Sequence, residues 1–424
     1  MRSGPDRSAV YQRWTRLFVA LIGAGCLIGI AIPAGLGWDF ANFYDAGRRV
    51  AAGQIPDLYS PLSLINGLPP QGRTGFFGAP ISALFYLPLA PFSAETALVL
   101  FKVENVLAYA ATFGILLAFY RPLVSGDDQA RAKFTALFAF LCLIYQPFWT
   151  VFRVGGQTTA TVLLLLSLGL VAHTRGRLWI SALSVVVAAL IKPSLAPTLI
   201  LLGGLTGVAY VVRLAAVMAV VGALSLVVMG WPVHLSFLDL MARSSKLTYP
   251  WYFNSSIYVV VENLRVYAGP DAARVPLLVL TYALKASVVL TVLWLAWRSR
   301  REPWTDAARR HADFLLAVVF FLLWSPTIWE HYLSLLFPLL IFVVASSAHF
   351  SRQALILVAL IFVLSLGQNL IVVNWFRYGF SFESLPALVG IALFKSAPLL
   401  LTLWLLWRHA HEWLRSHALS RWES

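Results

Sequence analysis

Charged residues are scarce in this sequence. Asp, Glu, Lys and Arg together make up 12% of the 424 residues, whereas 60% are hydrophobic and the mean hydropathy is +0.78. In soluble globular domains roughly a quarter of all residues are charged, so this composition excludes that class of protein. The chain reads as an all-α polytopic membrane protein, and no stretch is polar and long enough to form a separate soluble domain.

Cysteine is rarer still. The two that occur, Cys26 and Cys142, lie in apolar runs and indicate neither a disulfide framework nor a cysteine-based metal site. Acidic residues are also outnumbered, 18 against 32 basic ones, which gives a net charge of +14. In a membrane protein, cytoplasmic loops and anionic lipid headgroups explain this excess, so nucleic-acid binding is not inferred.

Long apolar runs set the predicted topology. A hydrocarbon core about 30 Å thick needs roughly 20 apolar residues per helix, so a single domain over residues 1–424 has room for about twelve spans. The positive-inside rule places the basic N-terminus and the basic tail from Arg408 in the cytoplasm. The segment 77–92 is short and broken by prolines, which predicts an interfacial or re-entrant helix. Long outer loops are predicted at 38–77 and 232–274.

The stretch 38–59, WDFANFYDAGRRVAAGQIPDLY, is the densest in chemical groups. It follows the first apolar run and carries three carboxylates beside two arginines. Asp39 stands where a transmembrane helix meets water, so it is available as a base next to lipid. An interfacial acid that only helps the helix to end is the plainer interpretation. Arg48 and Arg49 run against the positive-inside trend on this face, which indicates an anionic partner, either a lipid phosphate or Asp45.

Four further outer loops carry polar side chains that we assign to substrate binding. They are Arg153 and Gln157 in RVGGQ, Lys192 in KPSLAP, Asn254 in YPWYFNSS, and Glu330 and His331 in IWEHY. Snorkelling also explains an isolated Lys192, and helix capping also explains Glu330. His331 is harder to dismiss, because an imidazole near neutral pH can bond phosphates and sugar hydroxyls. A single His among scattered acids lacks the clustered ligands of a catalytic zinc, so no metal is predicted.

Taken in order, these motifs resemble the polytopic glycosyltransferases of the C superfamily, specifically family 87, related to polyprenyl-phosphate-mannose-dependent mannosyltransferases. The resemblance spans most of residues 38–340. It runs through Asp39, Phe40, Phe43, Tyr44, Ala46, Arg48, Gly53, Leu58 and Tyr59, then Pro80, Leu87-Pro88-Leu89, Gly156-Gln157, Ile191-Lys192-Pro193, Ser325-Pro326, Trp329 and His331. Where family members often read Tyr-Pro-Pro-Leu, this chain has Phe77-Gly78-Ala79-Pro80-Ile81, so the resemblance does not extend to the local details of the donor or acceptor groove.

The resemblance implies a GT-C fold of about twelve helices, with interfacial helices after the first span and the active site on the outer face of a bacterial inner membrane. Asp39 matches the acid that serves as base, and Gln157, Arg153, Lys192 and His331 would surround the donor phosphate or the acceptor. The implied reaction moves a sugar from a polyprenyl phosphate to a hydroxyl of a glycolipid or glycan, with inversion and without a cofactor. Mannose is the sugar that the family suggests, with arabinose or another sugar as alternatives.

Two other classes of function stay open. A transporter or flippase of a lipid-linked or small substrate would need functional charges near the bilayer midplane, for which the candidates are Lys102, Glu104, Lys285 and Lys395. The sequence shows no inverted repeat around them, which counts against a secondary transporter. A non-catalytic membrane scaffold is the third class.

Overall fold

The described part of the chain is helical. The computed structural model describes residues 7–32, 38–60, 75–153, 156–244, 254–268, 274–366, 368 and 385–419. Within these ranges the one departure from helices, turns and coil is an isolated antiparallel bridge between Asn254 and Trp329. The predicted all-α class is therefore confirmed for these ranges.

Five of the described helices are long and apolar enough to cross a membrane. They are Ser8–Ala31, Ala94–Leu123, Val208–Met229, Val275–Arg301 and Val389–Arg408. Asp128–Ile144 and Gln146–Phe152 meet at 44° and make a sixth span if they cross together. Several further apolar helices are shorter than a full crossing. The chain is thus an integral membrane protein, and the count of twelve spans stays a prediction.

Ten α-helices precede residue 245 in the described ranges. They are α1 (Arg7–Ala31), α2 (Trp38–Ala51), α3 (Ala94–Tyr120), α4 (Asp128–Ile144), α5 (Gln146–Arg153), α6 (Thr159–Thr174), α7 (Leu178–Ile191), α8 (Ala196–Thr206), α9 (Val208–Met229) and α10 (Trp231–Ser244).

Seven more α-helices follow in the described ranges. They are α11 (Val259–Ala268), α12 (Arg274–Arg301), α13 (Asp306–Trp324), α14 (Phe337–Ala345), α15 (Arg352–Leu366), α16 (Leu385–Arg408) and α17 (Ala410–Leu419). The 3₁₀ helices are Ile55–Asp57, Pro80–Leu89, Arg121–Leu123, Pro193–Leu195, Glu330–Leu336 and Ser347–His349.

Local sequence signals explain where several helices begin. The side chains of Ser93, Asp127 and Thr305 accept hydrogen bonds from main-chain N–H groups in the first turns of α3, α4 and α13. Each satisfies a donor that has no partner within its own helix. Gly207 separates α8 from α9 with φ +103°, a conformation that favours glycine.

Two boundaries differ from the predicted path. The positive-inside rule favours a cytoplasmic loop at Arg213, but the break between α8 and α9 lies at Gly207, so Arg213 stands inside α9. The predicted outer loop 232–274 contains α10 and α11.

The 77–92 segment is a 3₁₀ helix of ten residues, Pro80–Leu89. At about 2 Å of rise per residue it is shorter than the hydrocarbon core.

Helix α13 lies at the centre of the bundle. It is buried along most of its length and packs against α6, α8 and α12. From Phe314 to Trp324 it is apolar on all sides, and such a stretch belongs in the interior. One end of the bundle brings together the start of α2, the start of α6, the end of α7 and the segment after α13, and these four places carry most of the predicted site residues.

Candidate active site

Lys102 of α3 fixes the end of α1 just before Asp39. Its ammonium donates to the main-chain oxygens of Gly29, at 3.0 Å, and Ile32, at 2.9 Å. Carbonyls in the last turn of a helix have no N–H partner within that helix. A cation there also complements the negative end of the helix dipole. Lys102 thus binds the end of the first span, and the next described residues begin α2 at Trp38.

Helix α2 sits closely against the 3₁₀ helix Pro80–Leu89. The rings of Phe43 and Tyr86 stack with centroids 4.9 Å apart. Beside them, Phe40 packs against Phe101 of α3 at 5.5 Å. Gly47 permits this approach, because a Cβ at that position would overlap the main-chain carbonyl of Tyr86. Packing of α2 therefore determines where its first turn, which holds Asp39, is placed.

Gln157 holds the Asp39 carboxylate. Its side-chain amide Nε2 donates a hydrogen bond to Asp39 Oδ2. Gly156, immediately before it, has φ +88°, and a Cβ there would crowd Phe101 and Phe40. The glycine therefore makes the turn that delivers the buried Gln157 amide to the carboxylate.

Lys192 follows the last residue of α7, and Pro193 prevents that helix from continuing. The main-chain oxygen of Leu190 accepts a hydrogen bond from Ala79 N–H at 2.8 Å, which ties this helix end to the chain ahead of the Pro80–Leu89 helix. The Lys192 side chain is buried rather than snorkelling into water, with 8% of its surface exposed. Its placement is therefore set by packing.

An aromatic ring and an imidazole surround the Lys192 ammonium. Nζ lies 3.6 Å from the ring centroid of Tyr332, a cation–π contact, and 3.5 Å from His331 Nε2. Burial lowers the pKa of Lys192 to about 7, and the negative charge of Asp39 acts in the opposite direction. The carboxylate and the ammonium are therefore close enough to influence each other.

The two arginines of α2 contact different groups. Arg49 Nε forms a buried ion pair with Asp45 at 2.7 Å, and its guanidinium also donates to the main-chain oxygen of Asp57. Arg48 is more exposed and lies 5.8 Å from the ring centroid of Tyr44. The anionic partner that Arg49 contacts here is Asp45, one of the two expected from the sequence.

Asn254 joins two chain segments at the same end of the bundle. Its side-chain oxygen accepts from the N–H groups of Ser256 and Ile328, both at 3.0 Å, and its Nδ2 donates to the Pro326 carbonyl at 3.1 Å. Glu330 forms an ion pair with Lys395 at 2.9 Å. Both residues were expected to bind substrate, and these contacts show them holding the loops around the site.

Arg153 is the last residue of α5, and its side chain lies outside the described part of the structure. Tyr332 was missed from the sequence, although it directly follows His331 in IWEHY. The available signal was the clustering of aromatic residues at that helix start. In the sequence Lys395 is an isolated charge in an apolar run, since its partner Glu330 lies 65 residues away.

The arrangement combines two chemical capacities. A carboxylate oriented by an amide donor can accept a proton from a hydroxyl, and a buried ammonium beside an imidazole can bind an anion. The ring of Tyr332 provides an apolar wall against which the cation is held. The site is therefore suited to a reaction in which an alcohol is deprotonated beside a phosphate.

Comparison with known proteins identifies the family. Residues 76–326 match the model of glycosyltransferase family 87. The match includes Gln157, Lys192 and Asn254, whereas Asp39 precedes it and His331 follows it. No solved structure matches the chain.

One curated relative is a polyprenol-phosphate-mannose-dependent alpha-(1-2)-phosphatidylinositol pentamannoside mannosyltransferase of Mycobacterium tuberculosis. It is 27% identical over 333 residues, which cover 76% of this chain and 72% of the relative. The similarity therefore extends over most of both proteins.

Proposed function

The chain belongs to glycosyltransferase family 87, and from that premise we propose that it transfers mannose from a polyprenyl phosphate to a hydroxyl of a lipid-linked or glycan acceptor on the extracytoplasmic face. The name of the mycobacterial relative supports the donor and the sugar. The observation that carries the proposal is that one end of the bundle holds both a carboxylate oriented by Gln157, Asp39, and a buried cation beside His331 and Tyr332, Lys192.

In the proposed reaction Asp39 removes the proton of the acceptor hydroxyl while that oxygen attacks the anomeric carbon. A new carbon–oxygen bond forms, the bond between the anomeric carbon and the phosphate oxygen breaks, and the polyprenyl phosphate leaves with the electron pair. Attack from the face opposite the phosphate inverts the configuration. The leaving phosphate is already ionised at neutral pH, so positive charge serves it better than a general acid.

Residues of the site divide these tasks between them. Gln157 keeps the Asp39 carboxylate oriented, because its amide donates to one carboxylate oxygen. Lys192 is the proposed phosphate contact, with His331 Nε2 beside it as a second polar group. Tyr332 holds the ammonium in place through its ring. Each role follows from a contact to the base or to the cation.

The transporter alternative receives less support. Lys102 and Lys395, two of its four candidate charges, are occupied by the carbonyls at the end of α1 and by Glu330. Glu104 accepts a hydrogen bond from Thr161. Lys285 lies 5.0 Å from the ring centroid of Trp324. These charges are explained by packing, whereas Asp39 and Lys192 lie at one end of the bundle.

The decisive experiment measures transfer of radiolabelled mannose from polyprenyl-phosphate-mannose by the purified protein. We expect Asp39→Asn to lower kcat by roughly a hundredfold or more, because general-base catalysis contributes about that much. Asp57→Asn is the matched control, since it makes the same change on an exposed side chain of the same region. Equal yield and elution in gel filtration would show that both variants fold.

Two outcomes would refute parts of the proposal. Full transfer by Asp39→Asn would remove Asp39 from the role of base. A wild-type protein that moves no sugar from any polyprenyl-phosphate donor, while it moves a lipid-linked substrate across a vesicle membrane, would replace the enzyme with a flippase.

A further inference from the structure

A fully buried ion pair links α16 to the segment that carries His331. Lys395 has 0% of its surface exposed and Glu330 has 3%, and Lys395 Nζ lies 2.9 Å from Glu330 Oε2. Glu330 opens the 3₁₀ helix Glu330–Leu336, in which His331 and Tyr332 come next. Both residues lie beyond the part of the chain that the family model matches.

Placing two charges away from water is expensive, and a buried ion pair is weak evidence for stability in itself. Ionisable residues inside a membrane protein are rare and usually serve a function. A buried pair does fix geometry, because each charge loses its compensation when it moves away. Glu330, the acid of this pair, directly precedes His331 and Tyr332, the two residues that contact Lys192.

The same part of α16 is tied to the second loop of the site. Gln368 Nε2 donates to the main-chain oxygen of Lys395 at 3.0 Å, and Ser255 Oγ donates to Gln368 Oε1 at 3.0 Å. Ser255 follows Asn254, which binds the main chain at Pro326 and Ile328. All of these polar groups are buried, so the two loops and α16 form one connected hydrogen-bonded unit.

From these contacts we propose that Lys395 and Glu330 are positioning residues, which hold His331 and Tyr332 against Lys192 so that Lys192 and His331 can bind the phosphate of a lipid-linked donor. This inference rests on the proposed function. It assigns a role in donor binding to a lysine of α16, 203 positions away from Lys192 in the chain. Neither residue of the pair touches the substrate in this proposal.

The test compares three variants of the full-length protein: Lys395→Met, Glu330→Gln and the double variant Lys395→Met/Glu330→Met. For each, kcat, the KM values for donor and acceptor, and the fraction of active protein are measured. The Kd for polyprenyl phosphate alone is measured by tryptophan fluorescence. Lys285→Met is the matched control, because it removes another lysine charge from a membrane helix, one outside the pair.

We expect Lys395→Met to raise the donor KM and the Kd for polyprenyl phosphate roughly tenfold or more, which corresponds to about 1.4 kcal/mol, and to leave the acceptor KM unchanged. The double variant removes both charges, so its melting temperature should recover towards that of the wild type. Its donor KM should stay raised, because Glu330 no longer anchors the segment. Glu330→Gln leaves the buried Lys395 ammonium without a counter-charge, so its melting temperature should fall. It keeps a hydrogen-bond acceptor for that ammonium, so its donor KM should stay within about threefold of that of the wild type.

A purely structural pair gives a different result. In that case the variants reduce the fraction of active protein and leave donor KM and the lipid Kd unchanged, or the double variant restores the Kd together with the melting temperature. Either result would overturn the inference and leave the proposed transfer reaction intact. If the wild type binds polyprenyl phosphate and moves no sugar, the proposed function fails, while the Kd values of the variants still decide the role of the pair.

Discussion

Lys192 shows how burial sets the properties of a single residue. An exposed lysine keeps its charge far above neutral pH, whereas the pKa of Lys192 is lowered to about 7 by burial, against the opposing effect of Asp39. The free site therefore holds ammonium and neutral amine in comparable amounts at neutral pH. Since an anionic phosphate favours the ammonium, donor binding would draw the side chain to its charged form.

The lowered pKa of Lys192 predicts that the affinity for the donor depends on pH. Below pH 7 the free ammonium dominates, and above it each donor that binds must also bring a proton to Lys192. We expect the Kd for polyprenyl phosphate to rise about tenfold per pH unit above pH 7, until the higher pKa of the bound state is reached. Titrations of the lipid between pH 6 and 9 on the purified protein would measure this slope.

Lys192→Arg provides the control for that slope, because a guanidinium stays charged throughout this range. The variant should bind the lipid with little dependence on pH, whatever its absolute affinity. An identical slope in both proteins would show that another group takes up the proton.

At the scale of elements, α2 is the part whose position matters most. Its first turn carries Asp39, and its middle contacts the Pro80–Leu89 helix through stacked aromatic rings and the close approach at Gly47. Lys102 donates hydrogen bonds to the main-chain oxygens at the end of the preceding span. The proposed base is thus held by contacts several residues away from it, so a change in packing should affect catalysis.

Gly47→Ala tests this dependence. The added Cβ would overlap the Tyr86 carbonyl, so α2 must shift, and a displacement of about 1 Å can lower a rate roughly a hundredfold. We expect kcat for mannose transfer to fall by at least tenfold, with a modest loss of thermal stability. Gly114→Ala is the control, because the Cβ it adds has no described atom within 4 Å beyond its chain neighbours and the backbone of its own helix. A wild-type kcat in Gly47→Ala would show that catalysis does not depend on how closely α2 packs against the Pro80–Leu89 helix.

At the scale of the whole molecule, the described helices place the site and the basic turns at opposite ends. Helix α7 begins after Arg177 and ends before Lys192, and its 14 residues extend about 21 Å. Positive loops stay on the cytoplasmic side of bacterial membranes. The end with Arg177 is therefore the proposed cytoplasmic face, and the end with Asp39 and Lys192 is the proposed outer face.

Cysteine labelling tests this orientation. In a chain whose Cys26 and Cys142 are replaced by alanine, a membrane-impermeant maleimide should label Gln54→Cys in intact cells. It should label Arg177→Cys only after the membrane is permeabilised. Both positions are exposed. The reverse pattern would place Asp39 on the cytoplasmic side and contradict transfer on the outer face.

The sequence by itself determined the class of the protein and its most conspicuous chemical groups. Hydropathy is a property of short stretches, so a membrane protein, its long spans and the short proline-broken segment at 77–92 could be read directly. Asp39, Gln157, Lys192 and His331 stood out for a similar reason, because polar groups at the ends of apolar runs are visible without a fold. The family followed from the order of such motifs.

Only the tertiary structure decided which of these groups act together. The amide of Gln157 meets Asp39 because Gly156 turns the chain, and Tyr332 meets Lys192 because α7 and the segment after α13 end at the same place. The pairing of Glu330 with Lys395 depends on how distant helices pack. No local pattern encodes these contacts, because hydropathy and spacing describe neighbours along the chain, whereas the burial and charge of a site come from neighbours in space.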